Sequence, residues 1–290
     1  MKVLVFGGGG FVGRHLAAHL APRGVQVTVC TRAPQKHRDL LVLPGLRMLS
    51  LQSAERAALL AEMAAADGVV NLTGIWRERR AGDYARAHVD FPRELGELCR
   101  MAGVRRLIHV SAAGAAPDAA SRFLRSRWQG EAAITAGFPE AVVLRPALVY
   151  GRDDPYTQGW VRALGGYARI VPVPAAERPL APLYVGDLVR VIEQALDDRK
   201  GPGRYDLCGP VPMALKAWVQ YLADVLGQRV RLWPLAPRAS RILGRLPLPL
   251  KCFGLERLDT LSEVPCASPW PERFLPRPLA PAAVLPSCLS

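Results

Sequence analysis

The residues of this chain best suited to chemistry are glycines. The stretch Phe6-Gly7-Gly8-Gly9-Gly10-Phe11-Val12-Gly13-Arg14 contains the spacing Gly7-x-x-Gly10-x-x-Gly13. It follows a short apolar run at residues 3–6 and opens a helical pattern over residues 11–23. In a strand–turn–helix unit the three glycines have separate tasks. Gly7 permits the tight turn, Gly10 lets the backbone approach a pyrophosphate, and Gly13 lets the helix pack closely on the strand. The first amides of the helix, at Phe11, Val12 and Gly13, would then face the phosphates of a dinucleotide. The competing reading is a glycine turn that keeps the fold and has lost its ligand.

The end of the second apolar run bears on which dinucleotide. It reads Val29-Cys30-Thr31-Arg32, with no carboxylate to take a ribose 2′-hydroxyl. Arg32, beside Thr31, offers a planar fork that matches a 2′-phosphate. Arg14, directly after the last glycine, is a second candidate clamp. The expectation is NADP(H) in preference to NAD(H); the alternative leaves both arginines solvated.

These residues need a scaffold, and the hydrophobic patterning supplies one. Apolar runs at residues 25–30, 46–51, 67–72, 106–110 and 141–144 alternate with helical stretches at 54–66, 84–102 and 121–136. That alternation predicts βαβ units with right-handed crossovers, hence an α/β fold: a doubly wound parallel sheet of the Rossmann kind with a smaller C-terminal lobe. The expected division is a dinucleotide-binding domain over residues 1–150, which residues 183–209 rejoin, and a lobe over residues 151–290. A strand is expected near residues 204–207 and an amphipathic helix over 213–226. From residue 233 proline is dense and no elements are assigned.

With 290 residues, half of them hydrophobic, the chain has ordinary globular composition. Six cysteines with no CxxC pair argue against a disulfide framework or a zinc ribbon, and suit a reducing compartment. Neither a cleaved leader nor a membrane-spanning run is expected. The net charge of +13 comes from 38 basic side chains, all but five of them arginine. It is spread as +8 over residues 1–150 and +5 over 151–290. Residues 225–255 stand out: Arg229, Arg231, Arg238, Arg241, Arg245 and Lys251 lie among leucines, Trp233 and Phe253, with no acid before Leu255. That mixture suits docking on a protein complex or a peripheral membrane surface as well as packing on the chain's own domain. No nucleic-acid motif accompanies the charge, so no nucleic acid is expected.

The chain resembles the extended and atypical short-chain dehydrogenase/reductases. The resemblance rests on Gly7–Gly13, on Asp67 with Asn71-Leu72-Thr73-Gly74, and on Leu107-Ile108-His109-Val110-Ser111-Ala112-Ala113-Gly114. It continues through Leu144-Arg145-Pro146-Ala147, Val149-Tyr150-Gly151 and Tyr184-Val185-Gly186-Asp187. It covers residues 1 to about 226, and the wording is most similar to the accessory NAD(P)H-binding subunits of respiratory complex I and their bacterial relatives. The resemblance implies a cofactor lying along Leu72, Thr73, Gly74, Val110, Ser111, Arg127, Pro146 and Ala147, besides the glycine turn. It implies a cytoplasmic protein, peripheral at the inner membrane if it joins such a complex.

The same resemblance implies a Tyr-x-x-x-Lys pair on one helical face, the tyrosine passing a proton and the lysine holding the nicotinamide ribose. Here the matching helix reads Phe123-Leu124-Arg125-Ser126-Arg127, and no tyrosine in the chain precedes a lysine at that spacing. The serine of the family is Ser111 or, in the other register, Ala112. Two functions follow. One is a cofactor-binding structural or accessory protein without the catalytic pair. The other is an NADP(H)-dependent reductase or epimerase/dehydratase whose proton comes from Tyr150, Tyr184 or water. His15 and His19, four apart on the first helix, lack a third ligand and are not read as a metal site. Asp153-Asp154 is read as a loop near the cofactor mouth, and His109 as a packed core histidine.

Overall fold

The computed structural model describes residues 1–52, 55–166, 170–197, 201–235, 270, 274 and 277–289. Its strands are β1 Lys2–Phe6, β2 Gln26–Thr31, β3 Leu46–Ser50, β4 Gly68–Asn71, β5 Leu107–Val110, β6 Val142–Pro146, β7 Val149–Tyr150, β8 Ile170–Pro174, β9 Pro179–Leu180, β10 Leu183–Tyr184, β11 Gly203–Leu207, β12 Met213–Ala214 and β13 Arg231–Leu235. The helices are α1 Phe11–Leu20, α2 Arg56–Ala64, α3 Phe91–Met101, α4 Arg122–Gly137, α5 Pro155–Leu164, α6 Val185–Ala195, α7 Leu215–Val225 and α8 Pro281–Leu289.

Seven strands form one parallel sheet in the order β11-β6-β5-β4-β1-β2-β3. The chain winds outward from β1 to β3, then returns to the other side of β1 at β4. That reversal between β1 and β4 makes the fold doubly wound and opens a crevice above the carboxyl ends of both strands. The central strands are buried along their whole length, as a sheet covered on both faces requires. On one face Leu16, Leu20, Leu188 and Ile192 of α1 and α6 seal Val3, Val5, Val27 and Val29. On the other, Leu95, Leu98 and Ile134 of α3 and α4 cover Leu4, Phe6, Val69 and Leu107. A further core belongs to the C-terminal lobe, where Tyr150, Trp160, Trp218 and Leu285 meet.

Some expectations change. Residues 84–102 are not one regular helix. Ala85–Asp90 is a π-helical segment that runs into α3. Pro92 has no amide proton for the His88 carbonyl, so the ladder loosens there. The bulged His88 carbonyl presses on α4 at Gly130, where a Cβ would collide with it. α1 ends at Leu20 because Pro22 starts a 3-10 turn, Ala21–Arg23. α5 and α8 were not foreseen. Cys208 is disulfide-bonded, while Cys30, Cys99 and Cys288 are free. Of the basic, apolar stretch 225–255, residues 236–255 lie outside the described residues. Among the described residues no helix is long and apolar enough to cross a membrane.

Candidate functional site

Two cavities meet above the reversal between β1 and β4. The larger, about 970 Å³, is lined by Gly7, Gly10, Cys30, Thr31, Arg32, Leu72, Thr73 and Gly74, and by Trp76, Arg77, Arg79, Asp83 and Arg86 beyond β4. The smaller, about 140 Å³, is lined by Phe11, Val12, Leu72, Trp76, Val110, Ser111, Phe123, Arg127, Pro146 and Ala147, with Asp154, Tyr156 and Leu180 from the lobe. Leu72 and Trp76 line both, so the two form one continuous cleft. Of the residues expected along a dinucleotide, all but Gly13 and Arg14 line it.

The glycine turn has the shape expected of a phosphate cradle. Gly7 has φ +78°, and a Cβ there would lie 2.9 Å from the Leu72 carbonyl carbon. A Cβ on Gly13 would lie 2.5 Å from the Gly8 carbonyl oxygen, so α1 can pack this close only with glycine. Gly10 caps α1, and the first intrahelical bond is donated by Arg14 to the Gly10 carbonyl at 2.9 Å. The amides of Phe11, Val12 and Gly13 precede that bond and form the positive end of the helix. Cradle, helix end and cavity size together fit a dinucleotide.

The arginines part company. Arg32 is exposed at the rim of the larger cavity, after Thr31. Arg14 turns away: it donates to the Gly9 carbonyl at 3.1 Å and pairs with Asp39. The Arg14 guanidinium holds the Asp39 carboxyl below the usual carboxylate range. Cys30 lies in the cavity wall, but burial pushes its thiol up to about 12, which leaves it unreactive.

At the other end of the cleft stand Phe123 and Arg127, the residues expected where the family's proton-transfer pair would lie. Phe123 is buried in the wall of the smaller cavity, its ring stacked at 6.1 Å on Trp76. The Arg127 guanidinium lies 5.3 Å from that ring and donates to the carbonyls of Thr73, at 3.1 Å, and Val110, at 3.5 Å. Burial pulls its pKa down to about 10. A Cβ on Gly74 would sit 2.8 Å from Arg127 Cζ, so glycine at 74 makes room for arginine at 127. Ser111 donates its hydroxyl proton to Glu131 at 2.6 Å, so its oxygen is held against α4. Glu131, with no exposed surface, also accepts from Arg145 at 2.8 and 2.6 Å and from Arg204 at 3.2 Å. Tyr150 is fully buried in the lobe core, and burial raises its pKa; neither it nor Tyr184 lines the cleft.

Sequence reasoning missed a network beneath Phe123. The Ile75 amide donates to His88 Nε2 at 3.0 Å, which leaves the proton on Nδ1 to reach Ser126 Oγ at 2.8 Å. Ser126 in turn donates to the Phe123 carbonyl at 2.6 Å. His109, 1 % exposed, accepts from Asn71 Nδ2 at Nδ1 at 3.0 Å. Burial holds His88 down to about 2 and His109 down to about 3. Both remain neutral in the folded chain while the unfolded chain takes up protons below about 6.5. Stability is therefore full above that value and falls with pH toward the folded pKa values. Each histidine contributes a slope of about 1.4 kcal/mol per pH unit. Urea titrations between about pH 6 and pH 4 are expected to show His88→Gln losing one such share of the slope.

The remaining candidates are structural. His15 reaches the Arg152 carbonyl at 2.9 Å and His19 pairs with Glu193 at 2.8 Å; no metal-binding cluster exists among the described residues. Asp154 caps α5 through the amides of Tyr156 and Thr157, at 2.8 and 2.9 Å. Asp67 lies before β4, at the end of the sheet away from the cleft, and accepts from the Lys2 amide at 2.7 Å.

Comparison with known proteins agrees with this geometry. A model of the NAD dependent epimerase/dehydratase family matches residues 3–208. The mitochondrial NADH dehydrogenase (ubiquinone) 1 alpha subcomplex subunit 9 of Arabidopsis thaliana is 30% identical, covering 93% of this chain and 66% of its own. Ceramide reductase of Caulobacter vibrioides is 31% identical over 64% of this chain and 57% of its own. Among solved structures, UDP-glucuronic acid 4-epimerase from Bacillus cereus in complex with UDP-glucuronic acid and NAD has a TM-score of 0.68. It is 18% identical and covers 89% of this chain and 98% of that one. The chain spans about two thirds of the length of the NADH dehydrogenase subunits it matches.

Proposed function

Given that the chain belongs to the NAD dependent epimerase/dehydratase family, we propose that it is an accessory protein that holds NADP(H), in preference to NAD(H), without transferring protons. The observation that carries this reading is the state of the Phe123/Arg127 pair. Phe123 has no hydroxyl to place at the nicotinamide end of the cleft. Arg127 spends a guanidinium nitrogen on the Thr73 and Val110 carbonyls. A bound dinucleotide supplies hydride chemistry; the chain's residues bind and orient it. The glycine turn and the amides opening α1 take the diphosphate, Arg32 takes the 2′-phosphate, and Arg127 lies beside the nicotinamide ribose. The relatives named as NADH dehydrogenase subunits support a respiratory complex as the partner. That would place the protein at the face of a membrane, on the cytoplasmic side in a bacterium.

The second reading is a reductase of a small or lipid-like substrate, with a proton taken from water. The apolar wall of the smaller cavity, with Leu148, Pro179, Leu180 and Leu188, favours it, and a ceramide reductase is among the relatives. The cofactor assignment is tested by titrating NADPH and NADH by fluorescence. Arg32→Ala is expected to weaken NADPH roughly 10- to 100-fold, the worth of a charge-assisted phosphate contact, and to leave NADH unchanged. Equal losses for both nucleotides would remove the preference.

A further inference from the structure

Residues 75–83, between β4 and the π-helical segment, form a loop whose polar groups are almost all spent on holding its own shape. The Asp83 carboxylate accepts from the amides of Arg79 and Arg80, at 2.9 and 2.8 Å, and pairs with Arg86. Glu78 accepts from the amides of Gly82 and Tyr84, both at 3.1 Å, and pairs with Arg122 at 2.8 Å. The Tyr84 hydroxyl donates to the Trp76 carbonyl at 2.9 Å, and His88 holds the Ile75 amide. Both acids of the loop are thus consumed. The loop nevertheless contributes Arg77 and Arg79 to the wall of the larger cavity, where Asp83 is already paired. Arg79 is exposed and has no ion-pair partner among the described residues.

The position of the loop assigns its target. It springs from Leu72-Thr73-Gly74, whose backbone lies against Gly7. It therefore approaches the glycine turn from the β4 side, while Arg32 approaches from β2, across β1. Gly7 and Gly10 line the same cavity as Arg79, so phosphates seated on the turn would share that space with it.

We propose that residues 75–83 are a preformed clasp and that the Arg79 guanidinium binds the diphosphate of the dinucleotide from the face opposite the amides of α1. A loop ordered before binding loses little entropy on contact, so the charge is used for affinity. The proposal rests on the reading that the cleft holds a nicotinamide dinucleotide.

The test is calorimetric titration of NADPH and of NADH into the full chain and its Arg79→Ala, Arg79→Lys and Arg80→Ala variants. Arg80 is the adjacent exposed arginine that does not line the cavity. Arg79→Ala is expected to weaken both nucleotides alike, by about tenfold for a partly solvated charge-assisted contact. Arg79→Lys should recover part of the loss and Arg80→Ala should bind as the parent does. Unchanged binding by Arg79→Ala, or a loss confined to NADPH, overturns the diphosphate assignment while leaving the cofactor reading intact. Failure of the parent chain to bind either nucleotide overturns the cofactor reading and the clasp with it.

Discussion

Gly13→Ala is expected to abolish tight dinucleotide binding, with a loss on the order of a hundredfold, and to cost about 1–3 kcal/mol of stability. The added Cβ would lie 2.5 Å from the Gly8 carbonyl oxygen. Both partners are backbone, so no side chain can rotate out of the way. α1 must move off the turn, and the amides of Phe11 and Val12 move with it. Because those amides are the proposed phosphate donors, a displacement of about 1 Å is enough to spoil the geometry. Gly201→Ala is the matched control: a Cβ there meets nothing within 4 Å. Nucleotide titration and urea unfolding of the two variants separate the local effect from a general loss of glycine.

Glu131→Ala is expected to give the largest loss of stability, about 3–5 kcal/mol. The Glu131 carboxylate is enclosed by Arg145, Arg204 and Ser111, which belong to β6, β11 and the end of β5. Removing it strands the Arg145 guanidinium, which is 19% exposed, in a poorly solvated site. It also frees the Ser111 hydroxyl. Arg204→Ala, whose side chain is half exposed, should cost no more than about 1 kcal/mol. A double replacement of Glu131 and Arg145 by apolar residues should be milder than Glu131→Ala alone, because it leaves no orphaned charge. A double-mutant cycle by urea unfolding checks the ordering.

Much of the fold was legible because a parallel sheet buries both faces of its strands. Val3–Phe6, Val27–Cys30 and Leu107–Val110 could therefore be read as apolar runs, and the helices between them by period. The glycine turn was legible because each glycine has a local backbone reason to be there. What escaped depends on partners distant in sequence. Nothing near Arg14 announces Asp39, and Ser111 gives no sign that Glu131, on α4, accepts its hydrogen bond. The π-helical segment before α3 needed two facts together, the missing amide of Pro92 and the small contact surface of Gly130. Its one sequence signal was the proline itself. Phe123 and Arg127 could be named from the sequence, where a Tyr/Lys pair was expected. The repurposing of Arg127 as a clamp on two carbonyls, with Gly74 making room, required the geometry. α5 was hidden because its N-cap, Asp154, reads equally well as part of a loop.

The central claim is the proposal that the cleft holds a nicotinamide dinucleotide and, with Phe123 and Arg127 where a Tyr/Lys pair is expected, does not turn it over. The most direct test loads the protein with NADPH and follows its absorbance during incubation with a panel of aldehydes, ketones and long-chain ketones. The account predicts stoichiometric, stable binding and no consumption above the rate of free NADPH. Sustained multiple-turnover oxidation of NADPH with any of these carbonyls, lost on removal of the protein, would contradict it and establish the chain as a reductase.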